Sequence, residues 1–274
     1  SADGQIVAIG AVNNDDNGEN SGHVRIYRNI DGSWYQVGVD IDGEFEGDHS
    51  GHSVSLSDDG NVVAIGAPVN DGNGNASGHV RIYKNNNGTW VQIGDDIYGE
   101  AEGDQVGNRG TVSLSADGQT VAIGAIYNYE HGHVSGHVRI FENTNGSWQQ
   151  IGDDIDGEHS GSVSGVVSLS DDGTIVAIGA PGNEGNGVDS GHVRIYQNIY
   201  GSWQQIGADI DGEAEYNSFG REVSLSADGT TVAIAAPYND GNGDNGIHYN
   251  NGNVRIYKYG SPLDNVQNDQ IVFS

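Results

Sequence analysis

A period of about 56 residues runs through the chain and limits what it can fold into. The tripeptide Val-Ala-Ile begins at Val7, Val63, Val121, Val176 and Val232, in steps of 56, 58, 55 and 56 residues. Val-Arg-Ile recurs at Val24, Val80, Val138, Val193 and Val254, and all four tryptophans (Trp34, Trp90, Trp148, Trp203) fall at one position of the unit. Such self-similarity means one supersecondary unit copied along the chain, each copy burying its apolar face against the next.

Within a unit the apolar residues come as short strand-like runs. In the third copy these are Val112–Leu114, Thr120–Ala125, His137–Phe141 and Trp148–Ile151, bounded by Asp-Gly, Asn-Gly or Gly-rich turns. Alternation and turn residues of this kind specify strands and hairpins, and no window carries the i, i+3, i+4 pattern of a helix. Four strands in about 56 residues predict a propeller blade, since leucine-rich and β-helix repeats are much shorter. Ala and Gly on one parity of the second strand suit the crowded inner part of a blade.

Counting units predicts a single five-bladed β-propeller over 1–274, with blades at about 1–50 plus 270–274, 51–107, 108–162, 163–219 and 220–269. The chain opens inside a unit, at the turn Ser1–Gly4, as a processed or trimmed chain would. Ile271 and Phe273 repeat the alternation of Val223 and Leu225. The C-terminal strand is therefore expected to pair with the N-terminal blade and close the ring. The fifth unit lacks the tryptophan, and 48 residues rather than about 56 separate Leu225 from Phe273.

Ten Lys/Arg against 39 Asp/Glu give a net charge of −29. That surface repels nucleic acid and anionic membrane, and no apolar run approaches the roughly 20 residues of a membrane helix. It is best tolerated in salt, where screening shortens the reach of each charge. The chain thus reads as a secreted or cell-surface protein from a salty setting. With no cysteine, it has neither disulfides nor thiolate metal sites.

The segments Phe219-Gly220, Val223–Ser226 and Val232–Pro237, with the literal Gly-Ala-Pro of Gly66–Pro68 and Gly179–Pro181, resemble FG-GAP repeats. The resemblance covers all five units. It implies the propeller fold of integrin α heads and of many extracellular proteins of microbes and algae, and with it adhesion or ligand binding. The integrin type of calcium loop, D-x-D-x-D-G between the first two strands, is replaced by a tight turn such as Ser115–Gly118, too short to supply six to eight oxygens.

Candidate metal ligands lie instead between the second and third strands: Asp15, Asp16, Asp71, Asn73, Glu184, Asp189, Asp240 and Asp244. Asp/Asn oxygens interspersed with glycine suit Ca²⁺, although the same residues are ordinary turn formers. Asp40–Glu44, Asp96–Glu100, Asp154–Glu158 and Asp209–Glu213 form a second acidic cluster on the blade-to-blade connections. Paired carboxylates serve glycosidases, but an active site is one constellation and these recur. His23, His79, His137 and His192 each stand two residues before an arginine, on one face of the third strand. The arginines are expected to pair with carboxylates between blades, with histidine packed beside them. A metal role for the histidines would need several to converge.

No nucleophile triad, phosphate loop or dinucleotide fingerprint is present. Asn75, Asn87 and Asn145 head glycosylation sequons. The expected function is therefore non-enzymatic: an extracellular recognition or adhesion module whose ligand is a glycan or a protein. Tyr98, Tyr127, Tyr129, Tyr200 and Tyr238 are its candidate contact platforms. A self-assembling surface-layer or matrix role is the alternative, and a glycoside-acting enzyme comes third.

Overall fold

The computed structural model describes residues 1–130, 132–239 and 251–258, together with the backbone of 271–272. All regular structure is antiparallel β, in five sheets that follow one another as propeller blades. The first blade holds β1 (Ile6–Ala11), β2 (His23–Ile30), β3 (Ser33–Gln36) and β4 (Ile41–Asp42). The second holds β5 (Ser53–Leu56), β6 (Val62–Ala67), β7 (His79–Asn86), β8 (Thr89–Gln92) and β9 (Ile97–Tyr98). The third repeats this as β10 (Val112–Leu114), β11 (Thr120–Ala125), β12 (His137–Thr144), β13 (Ser147–Gln150) and β14 (Ile155–Asp156). The fourth has β15 (Val166–Leu169), β16 (Ile175–Ala180), β17 (His192–Ile199), β18 (Ser202–Gln205) and β19 (Ile210–Asp211). The fifth has β20 (Glu222–Leu225), β21 (Thr231–Ala236), β22 (Asn253–Lys258) and β23 (Ile271–Val272). Among the described residues no helix is long and apolar enough to cross a membrane.

Local chemistry sets both turns of a blade. Between the first two strands, Ser115 Oγ donates to Asp117 Oδ1 (2.7 Å) and accepts from the Thr120 amide (2.9 Å). The Gln119 amide donates to the same Asp117 oxygen at 2.9 Å. The pattern recurs at Ser57/Asp59, Ser170/Asp172 and Ser226/Asp228. The backbone N–H of Thr230 and the hydroxyl of Ser226 stabilise the Asp228 carboxylate enough to hold its pKa at about 2. These aspartates therefore act as turn staples. The outer hairpins turn on Asp31-Gly32, Asn87-Gly88, Asn145-Gly146 and Tyr200-Gly201, each with both φ positive, as a two-residue type I′ turn demands.

Four apolar cores lie between successive blades rather than within them. Ala64, Val80 and Ile82 of the second blade meet Val121, Ile123 and Phe141 of the third. Equivalent clusters join first to second, third to fourth, and fourth to fifth. The alternating small and large residues of the second strand are thereby explained. Ala64 offers its small face to the next blade, whose bulky Val121 and Ile123 fill the space.

The ends of the array correct one expectation. β23 pairs with β22, placing Val272 opposite Arg255 and Ile271 opposite Ile256, and not with β1 of the first blade. The fifth unit has no tryptophan strand, so the outer edge of β22 is open and takes up the C-terminal segment. Among the described residues no strand pairs with the inner side of β1. Val7 and Ile9 are accordingly 36% and 51% exposed, where Val121 and Ile123 are 0% and 1%.

Candidate functional site

Two kinds of site arise where blades meet. The first is a station repeated at the start of each third strand. In blades two to four the arginine of the His-Val-Arg run reaches back to the preceding blade. Arg81 Nη2 donates to the Asp42 carbonyl (2.8 Å), Arg139 to Tyr98 (2.6 Å) and Arg194 to Asp156 (2.6 Å). The second guanidinium nitrogen faces a glutamate of that blade: Arg81–Glu44 and Arg139–Glu100 at 3.4 Å, Arg194–Glu158 at 3.6 Å. Arg255 likewise meets Glu213. The expected inter-blade pairing is thus present. Arg25 turns instead to Asp40 of its own blade (2.7 Å).

The histidine beside each arginine is buried and faces two carboxylates. His79 Nδ1 lies 3.4 Å from Asp96 and 3.8 Å from Glu44. His137 lies 3.8 Å from Asp154 and 3.9 Å from Glu100, and His192 lies 3.8 Å from both Asp209 and Glu158. Burial, with Arg81 adding to it, lowers the His79 pKa to about 4. Burial also lowers those of His137 and His192 and raises those of Glu44 and Glu100. The donor atoms at these stations, and at Asp16/His23/Asp40/Asp42, are close enough to hold a metal ion.

The loops read from sequence as calcium ligands are built differently. Asp15 Oδ1 accepts from the Asn20 amide and Asp71 Oδ1 from the Ala76 amide, both at 2.8 Å. Asn73 donates to the Gly99 carbonyl at 2.8 Å, tying its loop to the blade connection. Of the described carboxylate candidates only Asp16 belongs to a cluster of metal-binding groups; Asp15, Asp71, Glu184 and Asp189 do not. Asp240 and Asp244 lie outside the described residues. Asn75, Asn87 and Asn145 are all exposed.

The second site is a cavity of about 420 Å³ at the inner ends of blades three to five. Tyr127 and Tyr238 line it, with Asn108, Arg109, Arg221 and Glu222. Arg109 Nε is 3.6 Å from Glu222 across the mouth. Five of the ten basic residues are the repeated arginine; two of the other five, Arg109 and Arg221, converge here. Sequence reasoning missed both, because they stand in junctions that depart from the repeat, Asn108-Arg109-Gly110 being an insertion. That departure was the available signal.

The other tyrosines are dispersed. Tyr98 donates to Asp96 (3.0 Å) beside His79, and burial together with that bond pushes its pKa up to about 12. Tyr129 stacks edge-on with His133. Tyr200 stands fully exposed at an outer hairpin.

Residues 39–83 match the FG-GAP repeat family. No curated protein matches the chain. Among solved structures the fold resembles the periplasmic gluconolactonase of Pseudomonas aeruginosa (TM-score 0.60, 16% identity, 97% of this chain and 66% of that one). It also resembles a putative 6-phosphogluconolactonase from Bacteroides fragilis (TM-score 0.59, 13% identity, 99% and 69%). TolB from Acinetobacter baumannii is a third such structure (TM-score 0.54, 15% identity, 98% and 54%). At these identities the likeness is one of fold. The chain spans between about half and just over two-thirds of the length of these proteins.

Proposed function

With an FG-GAP repeat at residues 39–83 and the same unit copied through the other blades, we propose that this protein is an extracellular recognition module. Its site is the axial mouth of blades three to five, and its ligand is a glycan carrying carboxylate or sulfate groups. One observation carries the reading: in a chain of net charge −29, two guanidiniums and two tyrosine rings meet in one cavity. Tyrosine faces stack on sugar rings, and guanidinium forks bind planar anions in bidentate fashion. About 420 Å³ falls within the range of small-ligand pockets. The module binds without turnover, because its paired carboxylates recur from blade to blade beside arginine and histidine, as a structural device does. Secretion into salt accords with the acidic surface.

Glycan-array binding in about 0.5 M NaCl, where only short-range charge survives, tests the reading. Sulfated or uronate-bearing glycans should bind, and Arg221→Gln or Tyr238→Ala should weaken them about tenfold, a loss near 1.4 kcal/mol. Binding confined to neutral glycans or to peptides, or unchanged in both variants, refutes it.

The exposed flank of β1, at Val7 and Ile9, favours a second reading, self-assembly of the chain into a surface layer. Sedimentation across a concentration series tests it: a mass that stays monomeric throughout removes that reading.

A further inference from the structure

The repeated stations hold a donor geometry that the ligand mouth does not use. At each of blades two to four, one imidazole nitrogen and two carboxylate oxygens point at a common centre, and the remaining atoms of those carboxylates are held from behind. Gln92 Nε2 donates to Asp96 Oδ1 at 2.6 Å, and Oδ2, which accepts one bond from the neutral Tyr98 hydroxyl (3.0 Å), faces His79 with a lone pair to spare. Arg81 meets Glu44 Oε1, leaving Oε2 toward the same histidine. The third and fourth blades repeat both holds, through Gln150 and Arg139 and through Gln205 and Arg194. His79 Nδ1 and His137 Nδ1 are buried and have no hydrogen-bond partner, so in these two clusters a polar atom is aimed inward without a bond, and His192 repeats their arrangement. Side-chain exposure is 1% at His79 and 0% at His137.

We propose that the stations at His79, His137 and His192 bind a divalent transition-metal ion of the zinc class, one per blade junction. Ligand atoms about 2.0 to 2.2 Å from a tetrahedral ion lie roughly 3.3 Å from one another. The nitrogen–oxygen separations of 3.4 to 3.9 Å need only a small inward movement of two carboxylates to reach that value. An imidazole with two carboxylates selects Zn²⁺-like ions over Ca²⁺, which takes oxygen ligands in larger number. The glutamine and arginine contacts are the outer supports that orient ligating carboxylates. The stations at His79 and His192 carry two carboxylates against one guanidinium, and that at His137 a third from Glu130, so a cation also relieves their repulsion.

The first and fifth blades are excluded on the same grounds. Arg25 donates through Nε and Nη2 to Asp40 Oδ2 (2.9 and 2.7 Å), the oxygen that faces His23 at 3.4 Å. The fifth blade has Asn253 where the others have histidine. Three ions per chain is therefore the expected number, each joining a glutamate of one blade to the histidine of the next.

Equilibrium dialysis of the whole chain against Zn²⁺ tests this, with bound metal counted by mass spectrometry in about 0.5 M NaCl to suppress loose surface binding. Three equivalents are expected, falling to two in His137→Asn and to none in the triple variant at His79, His137 and His192. Asp154→Asn keeps the side-chain shape and should also fall to two, which guards against a histidine variant that fails to fold. Co²⁺ bound at the same stoichiometry should give the intense visible bands of four-coordination. Zinc absent from the unsubstituted chain, three equivalents retained by Asp154→Asn, or retention of Ca²⁺ in place of Zn²⁺ would each overturn the proposal.

Discussion

The indole of Trp148 donates a 2.9 Å hydrogen bond to the carbonyl of Ile93 in the preceding blade. Trp90 does the same to Val37 and Trp203 to Ile151, each at 2.9 Å. The tryptophans therefore clasp neighbouring blades. Among the described residues Trp34 makes no such bond, and it is 49% exposed. Because Trp148 is half-buried, Trp148→Ala should cost about 2 to 3 kcal/mol, less than full burial would give. Trp34→Ala should stay within about 0.5 kcal/mol of the parent. Denaturant melts compare the two, and equal losses would contradict the clasp.

Stability should fall as the solution is acidified. His79 titrates at about 4 in the folded protein instead of the ordinary 6.5, so between those values the unfolded chain binds the extra proton. The stabilisation is complete above about 6.5 and is lost toward 4. Arg81, Asp96 and Glu44 face this imidazole, and burial outweighs the carboxylates' pull. His137 and His192 shift in the same direction. Glu44, Glu100 and Asp211, held above the ordinary carboxylate range by burial, oppose this in part. Denaturant midpoints at pH 7 and pH 5 should separate less in His137→Asn than in the parent; an unchanged separation argues against it.

A Cβ on Gly124 would overlap the carbonyl oxygen of Gly165 at the edge of the next blade. Backbone cannot yield as a flexible side chain does, so Gly124→Ala should cost about 3 kcal/mol. The fifth blade carries Ala235 at this position, where it is half-buried and lines the cavity of the mouth. Ala235→Gly should cost under about 1 kcal/mol, the backbone-entropy difference alone. Thermal melts of the two variants decide the point.

Tyr200 holds φ at 53° in a hairpin where the other blades place Asp31, Asn87 and Asn145. A large side chain in the left-handed region is strained by about 1 kcal/mol, and this ring is fully exposed. Tyr200→Asn should raise stability by about 0.5 to 1 kcal/mol. A fall in melting temperature would mean that the ring makes a contact absent from the isolated chain.

Much of the architecture is legible because strands are local. Val121–Ala125 and His137–Phe141 announce themselves by alternation, and their spacing counts the blades. What sequence cannot show is which blade supplies a partner. Glu44 and His79 are 35 positions apart yet share one station, and nothing in either tripeptide says so. Asp71 and Asn73 carry the composition of calcium loops, but the Ala76 amide and the Gly99 carbonyl engage them. The alternation of the C-terminal strand fits any open edge, and the strand pairs with β22, the nearer edge in sequence. The mouth residues Arg109 and Arg221 are invisible to a search for repetition because they interrupt it.

The four inter-blade cores make copy number an adjustable property of this chain. Every junction joins the following face of one blade to the leading face of the next, so excising one whole repeat brings together two faces already matched to that junction. Removing half a repeat would instead leave two faces mismatched. Length can therefore change in quanta of about 56 residues, each step carrying one core and one arginine bridge with it.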